Sequence, residues 1–287
     1  MKPIVKYQGG KTRELPLIKS LLPHSYDTVL EPFCGGAAVS FALADRCILN
    51  DMNDALINMY RQVSHPQSFH EVFSHVNWLK TLEHDDLSVE YYKARDYING
   101  THVDPYTWAV SYITVRQLCF SGMERYNKAG KFNVPYGHYK KFSCNLDWNH
   151  MKFLHQSGSS IFHGDFERIF DMAGKNDFIF IDPPYLDRLG YAHGNDTLHE
   201  RLVSCMKKSK AKWLFIHSDN DFYRDALSEY HIFYKQFGYA QRFGKNKNHD
   251  AAQVSHMYVT NYEDDMTLHR VNNATLQTLL EPDRIEA

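Results

Sequence analysis

The chain has no run of 18 apolar residues, so no membrane-crossing helix is expected. Its first residues, Met1-Lys2-Pro3-Ile4-Val5-Lys6-Tyr7-Gln8-Gly9-Gly10, lack the apolar core of a secretory signal. Neither sign of charge dominates: 32 Lys and Arg stand against 34 Asp and Glu, a net of −2 that advertises no polyanionic partner through a global field. Cysteines are few. Cys34, Cys47, Cys119, Cys144 and Cys205 make an odd number with no C-x-x-C pair, which fits free thiols in a reducing compartment. The 17 histidines fall in no HExxH, HxH or finger spacing, so no metal is expected. GxGxxG is missing, which disfavours a nicotinamide dehydrogenase. Lys6-Tyr7-Gln8-Gly9-Gly10-Lys11-Thr12 lacks the spacing of an ATP-binding P-loop. Repeats, low-complexity tracts and long linkers are also wanting.

What is present is a chain of 287 residues, 43% hydrophobic and 23% charged, enough for one large domain with a sizeable core or one carrying an insert. Short apolar runs at Thr28–Leu30, Cys47–Leu49, Ser160–Phe162, Phe178–Ile181, Trp213–Ile216 and Met257–Thr260 predict buried strands. Turn or cap residues and helix-like sequence follow the first five, the βαβ rhythm of an open α/β sheet. The rhythm stops across residues 55–158, too long a stretch for one βα connection. That stretch opens helically, with Ala55, Leu56, Met59, Tyr60 and Val63 on one face. It is read as an inserted, mainly helical subdomain between two parts of a catalytic domain, 1–54 and 159–287. From Arg116 to Lys141 six basic residues face Glu124 alone, a local net of +5, so the rest of the chain sums to −7. A near-neutral total conceals a basic patch.

Asp182-Pro183-Pro184-Tyr185 follows the run Phe178–Ile181, where open α/β sheets bind ligands. The prolines fix φ and remove two backbone donors. The Asp182 carboxylate and a rigidly aimed carbonyl then offer two acceptors to an exocyclic amine, and Tyr185 a flat face for the base that carries it. Glu31-Pro32-Phe33-Cys34-Gly35-Gly36-Ala37 follows the first strand, and its glycines allow backbone to pass close beneath a cofactor. Asn50-Asp51 ends the second strand, where Asp51 either accepts ribose hydroxyls or caps the next helix, a task Asp54 also suits. Gly164-Asp165-Phe166 ends the third, where Asp165 accepts from an adenine amino group or caps a helix.

Together these pieces resemble the Dam-type (D12 class, alpha group) DNA adenine-N6 methyltransferases, in which cofactor motifs come first, a target-recognition domain is inserted and D-P-P-Y follows. The resemblance runs from Lys6 to about Tyr262. It includes Arg116-Gln117-Leu118-Cys119-Phe120-Ser121-Gly122-Met123-Glu124-Arg125-Tyr126-Asn127 and Gly130-Lys131-Phe132-Asn133-Val134-Pro135-Tyr136-Gly137. It implies a Rossmann-like, mostly parallel seven-stranded methyltransferase sheet with an inserted, mainly helical DNA-recognition subdomain. It also implies S-adenosylmethionine as donor, S-adenosylhomocysteine as product and no metal. Tyr7 and Lys11 would flank the methionine portion, with Glu31, Phe33, Gly35 and Gly36 lining the pocket. Asp51 would hold the ribose, Asp165 with Phe166 the adenine, and Asp182, Pro183, Pro184 and Tyr185 the target base. Arg116, Phe120, Ser121, Met123, Arg125, Asn133, Tyr139 and Lys140 would reach double-stranded DNA. A cognate restriction endonuclease and a cytoplasmic, nucleoid-associated enzyme of bacterial or phage type go with the family. Two departures stand out: Ala37 where a further glycine is common, expected to be harmless because Ala is small, and Ser121 where GATC-specific relatives carry Asn.

The expected chemistry is direct methyl transfer to a flipped adenine amine, with no covalent enzyme intermediate. The absence of a Pro-Cys motif accordingly disfavours cytosine-C5 chemistry. Cytosine-N4 methylation shares the acceptor logic but is usually marked by Ser-Pro-Pro. Protein-glutamine methylation has Asn before Pro-Pro-Tyr and needs no basic insert. A non-catalytic module that binds S-adenosylmethionine or DNA is the alternative from another class.

Overall fold

The computed structural model describes residues 1–100, 104–186, 196–239 and 252–263. In chain order its elements begin α1 (Leu15–Ser20), β1 (Val29–Glu31), α2 (Ala38–Leu43), β2 (Cys47–Asp51) and α3 (Asp54–Ser64). Four helices and a strand follow: α4 (Pro66–Leu79), α5 (His84–Ile98), α6 (Pro105–Leu118), α7 (Trp148–His155) and β3 (Ser160–His163). The rest are α8 (Glu167–Met172), β4 (Phe178–Ile181), α9 (Asp196–Lys208), β5 (Lys212–Ser218), α10 (Asp221–Ala226), β6 (His231–Tyr239) and β7 (Ala252–Thr260). The strands form one sheet in the order β3-β2-β1-β4-β5-β7-β6. β2 pairs with β3, β1 with β4 and β4 with β5 in parallel, while β7 runs antiparallel to both β5 and β6. This is the Rossmann-like α/β sheet that the strand rhythm implied.

The chain divides into two compact units. One comprises Met1–Arg13 and Phe33–Phe166; the other comprises Glu14–Pro32 and the described residues from Glu167 onward. In the first unit the described residues of 55–158 are mainly helical, and local sequence says why. Pro66 and Pro105 sit in the first turns of α4 and α6, where their missing N–H costs nothing. Asn53 caps α3 by accepting from Leu56 N, Asp104 caps α6 by accepting from Thr107 N, and Asp147 and His150 form a capping box on α7. Every residue of α6 from Ala109 to Leu118 is buried, so this helix is a core element on all its faces. α3 packs against β2 and β3 as well as α4, α6 and α7, which joins these helices to the second and third strands.

In the second unit Phe178-Ile179-Phe180-Ile181 is buried at every position, as a central strand covered on both faces must be. β1 lies beside it in register Val29↔Phe178 and Leu30↔Ile179. The order of the parallel strands reverses between these two, a topological switch point, so the carboxyl ends of β1 and β4 are where such sheets bind ligands. Six of the strands coincide with apolar runs in the sequence. The other, β6, pairs only with β7 among the described strands, and its residues from His231 to Gln236 are all exposed or half-buried.

Candidate active site

The acceptor loop begins where β4 ends. Asp182 is half-buried, Pro183 is buried and Pro184 is exposed. Glu31, at the end of neighbouring β1, is 2% exposed. Tyr185 is set by three residues of the same unit that sequence reasoning did not single out. Its ring lies 4.7 Å from that of His217, at the carboxyl end of β5, and stands edge-on to His256 at 5.5 Å. Leu186 N donates to His217 Nε2 at 3.3 Å. His256 Nδ1 is 3.2 Å from Glu14 Oε2, which also accepts from the Tyr258 hydroxyl. His217 was findable: Ile216-His217-Ser218 is a polar step at a strand tip, the same signal that marks Asp182. Glu14 and His256 are 242 positions apart and give no such sign.

The glycine turn, the β2 tip and the N-terminal segment come together in the first unit. Gly35 has φ +46, and a Cβ placed there would sit 2.8 Å from Tyr7 Cε1. Only glycine fits, for conformation and for space. A Cβ at Gly36 would meet Tyr7 Cβ at 3.2 Å, and Tyr60 donates its hydroxyl to Gly35 O at 2.8 Å. Gly35 N donates to Asp51 Oδ2 at 2.9 Å and Asn53 N to Asp51 Oδ1 at 3.0 Å. The cap of α3 is thus Asn53; Asp51 holds the approach to it, and Asp54 accepts only from Ala55 N. Burial pushes the Asp51 carboxyl above the ordinary carboxylate range, and the two N–H bonds pull partly back. Burial first, and the Asp51 charge second, push the Tyr7 phenol well above its usual value, so it stays a neutral donor.

Asn50 Nδ2 donates to Gly164 O at 2.9 Å and Gly164 N donates to Asp51 O at 3.1 Å, which brings exposed Asp165 to the β2 tip. The rings of Phe33 and Phe166 pack 5.2 Å apart. Lys11 is buried and donates Nζ to Gly9 O at 2.9 Å, closing its own loop. Carboxylates outnumber cations here. That set suits a ligand rich in hydroxyls and amines, such as a nucleoside bearing an amino acid.

The basic block folds as a hairpin-like loop held by the bridges Cys119↔Tyr136 and Tyr126↔Phe132. Phe120, Ser121, Arg125 and Lys140 are exposed, and Met123, Asn133 and Tyr139 are half-buried. Arg125 Nε donates to Asn133 Oδ1 at 2.8 Å, so these two form one exposed unit. Arg116 departs from expectation. It is 1% exposed, donating to Lys6 O through Nε and Nη2, to Gly122 O through Nη2 and to Met123 O through Nη1. A guanidinium consumed by carbonyls inside the fold is a brace, not a phosphate contact. Its position on α6, buried on all sides, is what takes it from the surface.

Among the described residues no group of three or more His, Cys, Asp or Glu is placed to hold a metal ion. His249 lies outside them. All five cysteines are free thiols, and no described helix is long and apolar enough to cross a membrane.

A Rossmann-like sheet, a glycine turn against an acid-tipped second strand and a Pro-Pro loop at the switch point are features that nucleotide-binding α/β proteins share. Comparison with known proteins narrows the class. Residues 7–241 match the family described as D12 class N6 adenine-specific DNA methyltransferase. The chain is 32% identical over 273 residues to the Type II methyltransferase M.CviBI of Paramecium bursaria Chlorella virus NC1A, covering 91% of this chain and 100% of that one. It is 31% identical over 283 residues to the Type II methyltransferase M1.LlaDCHI of Lactococcus lactis subsp. cremoris, covering 91% and 96%. It is 29% identical over 241 residues to a DNA adenine methylase of Haemophilus influenzae, covering 78% and 82%. The chain belongs to the D12 class of N6 adenine-specific DNA methyltransferases, a family that takes its methyl group from S-adenosylmethionine.

Proposed function

We propose that the protein is a site-specific methyltransferase acting on N6 of an adenine flipped out of double-stranded DNA. The observation that carries this is the acceptor loop: Asp182 at the switch-point end of β4, two prolines that remove backbone donors, and Tyr185 held by His217 and His256. S-adenosylmethionine supplies, when bound, a methyl group made electrophilic by its sulfonium, and leaves as S-adenosylhomocysteine. Asp51 accepts from the ribose hydroxyls and Asp165 from the adenine amine. Phe33 and Phe166 give that ring an apolar bed, and Tyr7 and Lys11 flank the methionine portion. Glu31, Gly35 and Gly36 line the pocket.

Asp182 and the carbonyl that precedes the second proline accept from the two N–H groups of the target amine. Pulling on both localises a lone pair that is otherwise spread into the ring. The aligned amine can then take up the methyl group as its bond to sulfur breaks, and the nitrogen sheds one proton to water, so no covalent enzyme intermediate is needed. Such alignment supplies on the order of 7–11 kcal/mol of a barrier of this kind, and carboxylate stabilisation of charge growing on N–H adds about 3 kcal/mol. Tyr185 offers its face to the base, repaying part of the few kcal/mol spent on flipping.

Phe120, Ser121, Met123, Arg125, Asn133, Tyr139 and Lys140 form the DNA-facing loop, within a recognition subdomain spanning 55–158; the catalytic parts are 1–54 and 159–287. A cognate endonuclease and a cytoplasmic, nucleoid-associated location fit relatives named Type II methyltransferases. The test is methylation of random duplex DNA followed by modified-base sequencing. N6-methyladenine in one short motif is the expected result; N4-methylcytosine, or no modified base, would overturn it.

A further inference from the structure

Inside the first unit a half-buried relay, anchored on fully buried Arg116, joins the recognition loop to the residue proposed to hold the ribose. It starts at the turn Phe120–Gly122, where Arg116 takes the carbonyls of Gly122 and Met123 and, on its other side, that of Lys6. Arg116 Nη1 is 3.4 Å from Glu124 Oε2. Glu124 Oε1 accepts from the Tyr126 hydroxyl at 2.9 Å and from Asn53 Nδ2 at 3.2 Å. Asn53 N then donates to Asp51 Oδ1, and Asp51 Oδ2 accepts from the glycine turn at Gly35. A second arm leaves Lys6 for Tyr7, whose ring covers Gly35 and Gly36. Each link is charged or is a backbone group with a defined partner. Arg116 is buried, so moving it away from its carbonyls would leave unpaired groups at roughly 1–3 kcal/mol each.

We propose that the Arg116–Glu124–Asn53 relay makes Glu124 and Asn53 positioning residues that couple duplex engagement at the 120–125 turn to cofactor binding at Asp51. This rests on the roles proposed above for Asp51 and for that turn. Pressure on the turn by DNA moves the carbonyls that Arg116 holds. Arg116 transmits that to Glu124, and Asn53 to both the α3 cap and the Asp51 carboxylate. Linkage then requires the cofactor to alter DNA affinity by the same factor.

A row of contacts shows only that transmission has a route, so the experiment must read the coupling itself. The quantity is the ratio of S-adenosylhomocysteine dissociation constants, measured by calorimetry, without and with a duplex carrying the methylated motif. Asn53→Ser keeps a good helix cap while deleting the donor to Glu124. Glu124→Gln keeps an acceptor for Asn53 and Tyr126 while removing the charge that faces Arg116. Wild type is expected to show a ratio of about fivefold or more, the low end for coupled sites. Each variant should bring it closer to one, and the double variant to within twofold. A wild-type ratio of one, or a double variant with the wild-type ratio, overturns the relay. A wild type that binds neither S-adenosylhomocysteine nor duplex overturns the proposed function instead, and the relay with it.

Discussion

Ala37 and Ser121, the two positions where the sequence departs from its family's pattern, both have positive φ, 51 and 53. The expectation that Ala37 is harmless because Ala is small names the wrong property. The left-handed region costs a non-glycine residue about 1–2 kcal/mol, and glycine would escape that. Glycine would also forfeit a fully buried methyl, worth about 0.8 kcal/mol, and pay about 0.5–1 kcal/mol in backbone entropy. The terms nearly cancel. Ala37→Gly should therefore leave the urea midpoint almost unchanged, whereas β-branched Ala37→Val should lower it sharply. Ser121 is exposed and has no buried group to lose. Ser121→Asn, the residue that GATC-specific relatives carry, should raise stability by about 0.5 kcal/mol because Asn tolerates this conformation. A fall in the midpoint would contradict that.

Asp51 binds its proton more tightly in the folded chain than an ordinary carboxyl does, because it is buried. The sign follows from linkage: a carboxyl with a raised folded pKa contributes stability below its unfolded pKa, and that contribution is lost as pH rises through the folded pKa. Wild type should therefore lose stability relative to Asp51→Asn as pH climbs from acid toward neutrality. Thermal melts of the pair across that window test it, and a constant gap would refute it. The same substitution should weaken S-adenosylhomocysteine binding, so the group that strains the fold is the one the ligand needs.

At the level of strands and loops, legibility follows burial. Phe178–Ile181 reads as a strand because both its faces are covered, and so every residue is apolar. His231-Ile232-Phe233-Tyr234-Lys235-Gln236 shows no such run, because among the described strands it pairs on one side only and its side chains reach solvent. The places of Asp51 and Asp182 were legible because each stands at the carboxyl end of an apolar strand. Arg116 was misread because a basic residue among basic residues looks like surface, and only α6's complete burial shows otherwise. The support beneath Tyr185 was legible only in part: His217 stands at a strand tip, whereas Glu14 and His256, 242 positions apart, meet only in three dimensions. His217→Ala removes the acceptor for Leu186 N and the ring beneath Tyr185. It should lower kcat about tenfold or more, as loss of loop orientation does. S-adenosylhomocysteine affinity should stay within twofold. Equal losses in both would point to general unfolding instead.

Across the whole molecule, neither unit is a continuous stretch of chain. Ile4 and Val5 are buried, Gln117 Nε2 donates to Ile4 O at 2.8 Å and Tyr7 covers the glycine turn. The N-terminal segment is therefore part of the first unit's core. Deleting residues 1–10 should abolish S-adenosylhomocysteine binding and lower the melting temperature, even though the turn and Asp51 remain in the chain.

The pairing Val29↔Phe178 also sets an order of events on the ribosome. β1 emerges early but its neighbour β4 is translated roughly 150 positions later, a long-range closure of the slow kind. Everything the first unit requires has been translated by Phe166. A stalled nascent chain a little longer than that can already protect the amides of α6, while β1 still waits, long since made but unpaired on that side, for a strand that does not yet exist.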